Sequence, residues 1–516
     1  MTFKMNRRQA LQTGVAAGAV ASTSGLARAD TPQKGGTLKL GMAGANTSDS
    51  WDGRTHSDSF MINMAHGCVF DCMTEIGADG QLKGELAESW EASSDAKTWT
   101  FNLRQGVTFH NGKDFVAEDV LETFALHVGE ESKSPAKPII GAIDEMKKLG
   151  KHQVQFTLKA GNADFPFLLS DYHILIHPAG MIEESIAKGI GTGLYKNEGF
   201  EPGVRAVASR YADHYKGDAA GHFDSIEAIA ISDAAARMNA IMTGQVDAIN
   251  KVDTKTESLL NRNPLVEIFE VTGNQHYTFP MHANKEPFSN PDVRRAIKLA
   301  FNRKELVDKI LLGHGAVAND HPIGPANQYF ASDLPQAEYD PDKAKFHLKK
   351  AGFDSLTLDL SAANAAFPGA IDASVLFQAS AAAAGLEINV VREPDDGYWS
   401  NVWQTKPFCA CYWSGRATED WMFSTAYETG VPWNDNYWEN ARFQELLLLA
   451  RAELDTTKRG AMYREMQQIC AEDGATVVPM YANYVDAAST KLAHGPKIGN
   501  NWMLDGSRIA ERWWFA

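Results

Sequence analysis

The chain has 516 residues, of which 44% are hydrophobic, 22% charged and 10% aromatic, a composition that excludes a disordered or collagen-like polymer. That length exceeds what one hydrophobic core serves, so two or more lobes are expected. A formal charge of −16 excludes nucleic acid and anionic lipid as natural partners, since both are polyanions.

Residues 1–29, MTFKMNRRQALQTGVAAGAVASTSGLARA, have a basic start with Arg7 and Arg8, a weakly apolar middle, and Ala27-Arg28-Ala29 before Asp30. This is the pattern of a signal peptide cleaved after Ala29. The arginine pair and a middle rich in Gly, Ala, Ser and Thr point to twin-arginine export of the folded protein. No cysteine stands at the cleavage point, so a lipid anchor is not expected. Losing Lys4, Arg7, Arg8 and Arg28 takes the formal charge from −16 to about −20. No later segment approaches the ~20 consecutive apolar residues of a bilayer span, so a freely diffusing periplasmic protein is expected, without direct membrane insertion.

In the mature chain, TLKLGMAG alternates apolar and polar residues and predicts a first strand. Residues 86–110 alternate around the turns SSD and RQG as a hairpin, and NGKDFVAEDVLETFALH predicts a helix entered through a polar turn. In SDAAARMNAIMTGQVDAIN, Ser232 and Asp233 are cap candidates, Met238, Ile241 and Met242 share a predicted apolar face, and Gly244 ends the helix. Asn290-Pro291 opens one helix and Asn302 a second that closes at Gly313; Asp340-Pro341 opens another. Strands and helices keep alternating, which predicts an α/β class. The segments FPMHAN (279–284) and VPMYAN (478–483) share Pro-Met-x-Ala-Asn, either by chance or as neighbouring strands that carry the chain between lobes. On the second reading Met281, Asn284, Met480 and Asn483 mark a hinge.

Catalytic signatures do not emerge. The chain has no GxSxG, HExxH, GxxxxGK[ST] or GxGxxG motif, and its 15 histidines show no repeated ligand spacing. GIGTGLYK (189–196) reads as a turn. Of five cysteines, Cys68 and Cys72 lie one helical turn apart beside His66, yet no second pair gives zinc spacing, so small buried residues or a local bridge is the simpler reading. Spacing assigns no bridge among these and Cys409, Cys411 and Cys470. No metal site and no cofactor are expected.

The informative region is 398–438, which holds twelve aromatic residues. Tryptophan and tyrosine join apolar area to one polar handle, which suits a binding wall as well as a core. Within it, CYWSGRATEDWMF (411–423) sets Arg416, Glu419 and Asp420 among rings. Unpaired buried charge is costly, so these groups require partners, water or a ligand.

The stretch LAESWEASSDAKTWTFNLRQGVTFHNGKDFVAEDV resembles the most recognisable segment of the solute-binding proteins of ABC transporters, in the dipeptide, oligopeptide and nickel-binding family. GTGLYK is similar to the family's GTGPY turn, with Leu194 in place of proline. ANKEPFSNPDVRRAIKLAFNRKEL and YDPDKAKFHLKKAG resemble two further segments, so the likeness spans nearly all of the mature chain. It implies a two-lobed periplasmic binding protein-like fold, with two crossing strands and an extra subdomain on lobe one. Lobe one is then expected over 30–280 plus 484–516, and lobe two over 281–483. It also implies a monomer that is not an enzyme and hands its ligand to an ABC permease in the inner membrane. In peptide-binding members a Trp-x-x-Asp or Trp-x-x-x-Asp element holds the ligand's amino terminus. Here Trp413 matches the tryptophan, but Gly415-Arg416 stands in the acid's place.

The expected ligand groups are therefore Trp413 and Trp421 for stacking, Arg416 for an anion, and Glu419 or Asp420 for an amine. The expected cargo is a peptide or peptide-like solute. An oligosaccharide, glycoside or metal chelate is the alternative, and an exported hydrolase the remote one.

Overall fold

The computed structural model describes residues 31–129, 132, 134–394 and 398–516. The leader expected over 1–29 lies outside them. The first predicted strand forms over Thr37–Met42, with Leu38 and Leu40 turned inward and Thr37 and Lys39 outward, as the period of two requires. It runs parallel to both Ser225–Ala230 and Ala248–Ile249. The sheet continues antiparallel through Arg205–Arg210 and Tyr195–Glu201 on one side. On the other it continues through Thr476–Ser489, Val266–Pro280 and Cys411–Trp413.

Ala87–Ala92 and Thr98–Leu103 form the predicted hairpin and join Gln153–Leu158 and Ile143–Gly150 in a separate four-stranded sheet. With helix Ala117–Val128 this sheet encloses its own core around Phe101, Phe124, Phe156 and Phe165, the extra subdomain of lobe one.

The predicted helices begin at their caps. The Asn290 side chain accepts from Asp292 N, Asn302 from Glu305 N and Asp340 from Lys343 N, opening Pro291–Leu299, Arg303–Ile310 and Pro341–Lys350. Asp233 likewise caps Ala234–Met242. The buried face of that helix differs from the expected one: Met242 is exposed, and Arg237 is buried beside Ala240 and Ile241. Arg237 turns inward because its guanidinium satisfies the carbonyls of Ile231, Ser232, Asn250 and Lys251.

Two long strands carry the chain between lobes. Val266–Pro280 and Thr476–Ser489 pair antiparallel, with Thr272 opposite Asn483, His276 opposite Tyr481, and an irregularity between the two pairs. Val266 and Ala487 pack into a lobe-one cluster, whereas Tyr277, Phe279 and Met480 pack into the core of lobe two. The change of core falls at residues 273–275 and 482–484. Gly273 is required there, since a Cβ would lie 2.3 Å from the Tyr484 ring.

Of the expected hinge residues, only Asn483 lies at this crossing. Met281 and Met480 are both fully buried in the lobe-two core, so rotation about them would break packing. Asn483 lies at the crossing and donates to Glu270 at 2.5 Å. Asn284 is exposed on the rim of a concavity of about 750 Å³.

The carboxyl-terminal segment returns to lobe one, where Trp513–Phe515 pairs with Leu492–His494. Buried Arg508 binds Glu85 (2.7 Å) and Glu511 (2.9 Å), and Lys216 bridges Glu75 and Glu511. Two cations are thus shared among three carboxylates, and burial pushes the Glu85 carboxyl up to about 8, which eases burial of the group. Among the described residues no helix is long and apolar enough to cross a membrane.

Candidate functional site

Cys411–Trp413 is an edge strand paired with His276–Thr278, so the loop that follows it leaves the sheet at the crossing between the lobes. Gly415 lies so close to Asn274 that a Cβ would come within 1.7 Å of the Asn274 side chain. The Nδ2 groups of Asn274 and Asn327 both donate to the Arg416 carbonyl, at 3.1 and 3.2 Å. These contacts pin the backbone that carries Arg416.

The Arg416 side chain is half-buried. Its Nη1 donates to Ser414 O at 2.8 Å. Its guanidinium carbon stands 5.6 Å from the Trp421 ring centre and 6.0 Å from that of Trp413. Among the described residues no carboxylate forms a salt bridge with it. Burial draws its pKa below the ordinary value, with Tyr172 and Asp171 offsetting part of that effect. Tyr172 comes from lobe one and meets Trp502 edge to face at 5.2 Å, and Tyr484 comes from the return strand.

Trp502 precedes a left-handed turn with φ of 52° at Leu504, 62° at Asp505 and 65° at Gly506. Two of these residues carry a Cβ, at a cost of roughly 1–2 kcal/mol each. Leu504 N donates to Asp486 (2.6 Å), and Asp505 accepts from Gly499 N (2.5 Å) and Trp513 Nε1 (3.0 Å), which hold the turn in place.

The aromatic run divides in two. Phe423, Tyr427 and Trp438 are core residues of lobe two, and so is Trp413, only 6% exposed, against the expectation of a free stacking face. Tyr412, Trp399, Trp403 and Trp433 form a connected wall built outward from Trp413, with centroid spacings of 5.5–6.3 Å, and Trp399 and Trp433 are 40% and 48% exposed. A core would not leave two tryptophans so open. Asp435 accepts from Trp403 Nε1 at 2.9 Å, and burial pushes its carboxyl up to about 6.

Glu419 and Asp420 are engaged within the protein. Thr418 caps the helix Glu419–Ala426 and brings both acids into its first turn. Glu419 accepts from Tyr329 N at 2.7 Å, and burial pushes its carboxyl up to about 7. Asp420 pairs with Arg451 at 2.9 Å. Trp421 packs against the core of the lobe-one subdomain.

Beside it Arg459 of lobe two forms a buried ion pair with Asp164 of that subdomain, and Ala163 N donates to Arg451 O at 2.7 Å. Arg459 also stacks over Tyr329 and Tyr463. The expected site residues therefore separate: Arg416 lies beside the Trp413 and Trp421 rings, which themselves pack on the cores of lobe two and of the lobe-one subdomain, while Glu419 and Asp420 belong to a junction between lobes. Tyr172, Tyr484, Trp502, Asp164 and Arg459 had no signal in the sequence beyond their residue type.

The five cysteines are buried free thiols, so Cys68 and Cys72 form no bridge. Among the described residues no group of three His, Cys, Asp or Glu is placed to hold a metal. In the concavity of lobe two, Arg294 pairs with Asp473, so its main charges are already matched.

Two lobes, a double crossing and an open aromatic wall around one unmatched cation define a solute-binding protein. The family model for the bacterial extracellular solute-binding proteins, family 5, matches residues 81–435, and the chain belongs to that family. It is 28% identical over 427 residues to di/tripeptide-binding protein 2 of Pseudomonas aeruginosa, covering 75% of this chain and 79% of that one. Among solved structures it resembles the periplasmic binding protein DppA from Helicobacter pylori in complex with the peptide STSA, with a TM-score of 0.76, 21% identity, and 94% and 99% of the two chains covered. It also resembles the binding protein AgaA from A. tumefaciens in complex with agropinic acid, with a TM-score of 0.76, 22% identity, and 93% and 99% covered. The family and fold agree with the expectation drawn from the sequence.

Proposed function

We propose that the protein is exported by the twin-arginine route, is cleaved after Ala29, and acts in the periplasm as a monomer that delivers peptides or peptide-like solutes to an ABC importer. The observation that carries the reading is Arg416, a pinned guanidinium between Trp413 and Trp421 with no salt bridge of its own. In this reading Arg416 takes an anionic group of the ligand and the exposed tryptophans take its apolar or planar parts. The lobes move about residues 273–275 and 482–484, in the two long strands that pair across the pivot.

A thermal-unfolding screen of ligand-stripped protein against matched peptide and oligosaccharide panels tests the reading. A ligand at 100 times its Kd stabilises by about 2.7 kcal/mol, a shift of a few degrees. Shifts confined to peptides, and lost in Arg416→Ala, support it. The open tryptophan wall favours one other reading, an oligosaccharide or glycoside, for which binding survives Arg416→Ala and fails in Trp433→Ala.

A further inference from the structure

We infer that the cleft selects an anionic solute and makes no use of a free ammonium, so that an amine-blocked peptide or another carboxylate-bearing compound fits it at least as well as a zwitterionic peptide. This rests on Arg416 being a ligand group and goes beyond it by accounting for every acid near the cleft. Asp171 is held by His173, whose Nδ1 lies at 2.6 Å and whose backbone N donates at 2.9 Å. Asp486 accepts from the backbone N of Leu504 and of Lys251. Asp435 accepts from Trp403. Glu419 is occupied by Tyr329 N, and Asp420 by Arg451 and Ser424. Asp58 is paired with Lys251 at 3.1 Å and accepts from Ser59 N.

Each of these carboxylates has a donor within the protein, whereas Arg416 has only backbone carbonyls and ring faces. A ligand carboxylate completes the Arg416 hydrogen bonds. A ligand ammonium instead enters the field of that cation, and the acceptors it meets are carboxylates that already hold an internal donor. Charge complementarity therefore selects for one anion and against a compulsory amine.

Four forms of one dipeptide separate the terms: alanyl-phenylalanine, its N-acetyl acid, its amide, and its N-acetyl amide. Calorimetric titration into ligand-stripped protein is expected to give the N-acetyl acid an affinity within threefold of the free dipeptide or tighter. Both amides should bind about 100-fold more weakly than their acids. In Arg416→Gln the acids should fall to the level of the amides, while Arg416→Lys keeps part of the preference. If acetylation weakens binding more than threefold, the peptide reading stands and this inference is overturned. If the amides bind as well as the acids, the role of Arg416 falls and the inference with it. If none of the four binds, the peptide reading and the inference are both overturned. Far-ultraviolet circular dichroism of the variants confirms that losses are not unfolding.

Discussion

In Glu419→Gln the stability difference from wild type is expected to depend on pH, moving in favour of the variant as pH rises from 5 to 8. Glu419 sits at a helix start with its carboxyl pushed up to about 7, against an ordinary value of 4.5. Burial is the main cause. The Tyr329 hydrogen bond works against it, and the Asp164 charge adds to it. A folded-state pKa above the unfolded value means that the native state binds more protons between the two values, so its stability falls as pH rises through that window.

At 1.36 kcal/mol for each pH unit of separation, the ionised group costs about 3 kcal/mol above pH 8 and under about 1 kcal/mol at pH 5. Glutamine keeps the acceptor for Tyr329 N but buries an amide N–H pair, at a cost of roughly 1–3 kcal/mol that does not vary with pH. The slope of the difference is thus the informative quantity, about 2 kcal/mol between pH 5 and 8. The other buried acids that titrate nearby, Asp435 and Asp486 at about 6, are common to both proteins and cancel. Scanning calorimetry at four pH values reads this directly, since a unit of 150–250 residues moves about 2–4 °C per kcal/mol. A difference in Tm between variant and wild type that stays constant across pH 5–8 refutes the assignment of a destabilising carboxylate at the junction.

Asp164→Asn breaks an ion pair that joins the two lobes, so under the proposed closure it is expected to weaken every ligand by the same factor, about tenfold to a hundredfold. Titration of two unrelated ligands checks this, and unequal losses would place Asp164 in contact with ligand instead. The five thiols are buried, and burial pushes Cys68 up to about 12. Ellman's reagent is therefore expected to find no fast-reacting thiol in the native protein and five after denaturation under non-reducing conditions, and three or fewer would reveal a bridge.

Elements whose cause is local were legible in the sequence. Asn290-Pro291, Asp340-Pro341 and Asp233 each place a side-chain acceptor over free backbone N–H groups, and the helices start where those pairs stand. The hinge was legible only to within several residues. The second Pro-Met-x-Ala-Asn lies within a long strand, whereas the first begins where its partner strand ends at Pro280, so the two segments do not pair with each other; the pivot is set by which core each stretch packs into, and no short motif records that. Arg416 stood out because a charge among rings is unusual. Glu419 and Asp420 stood out for the same reason, yet their partners Tyr329, Asp164 and Arg451 are brought to them by lobes folded from distant parts of the chain. Trp502 owes its place to a left-handed turn whose only local trace is Asp505-Gly506.

In the proposed reading, three arginines of one lobe, Arg416, Arg451 and Arg459, divide closure from selection. Arg451 and Arg459 each meet carboxylates, and for both the attraction of those acids outweighs burial and raises the pKa. Arg416 is drawn into the same seam without a carboxylate, and burial lowers its pKa. Bringing the lobes together is thus favoured at the junction, where Asp164 reaches Arg459, and opposed at the cleft, where an unmatched guanidinium loses water. An arriving anion removes the opposing part and leaves the favourable one intact. A ligand can shift an equilibrium only by its differential affinity for the two states, and in the proposed reading that difference is concentrated on Arg416. A neutral solute of the same shape would fill the cleft and stack on the same tryptophans, yet leave the cost of burying that cation in place and hold the lobes together less firmly.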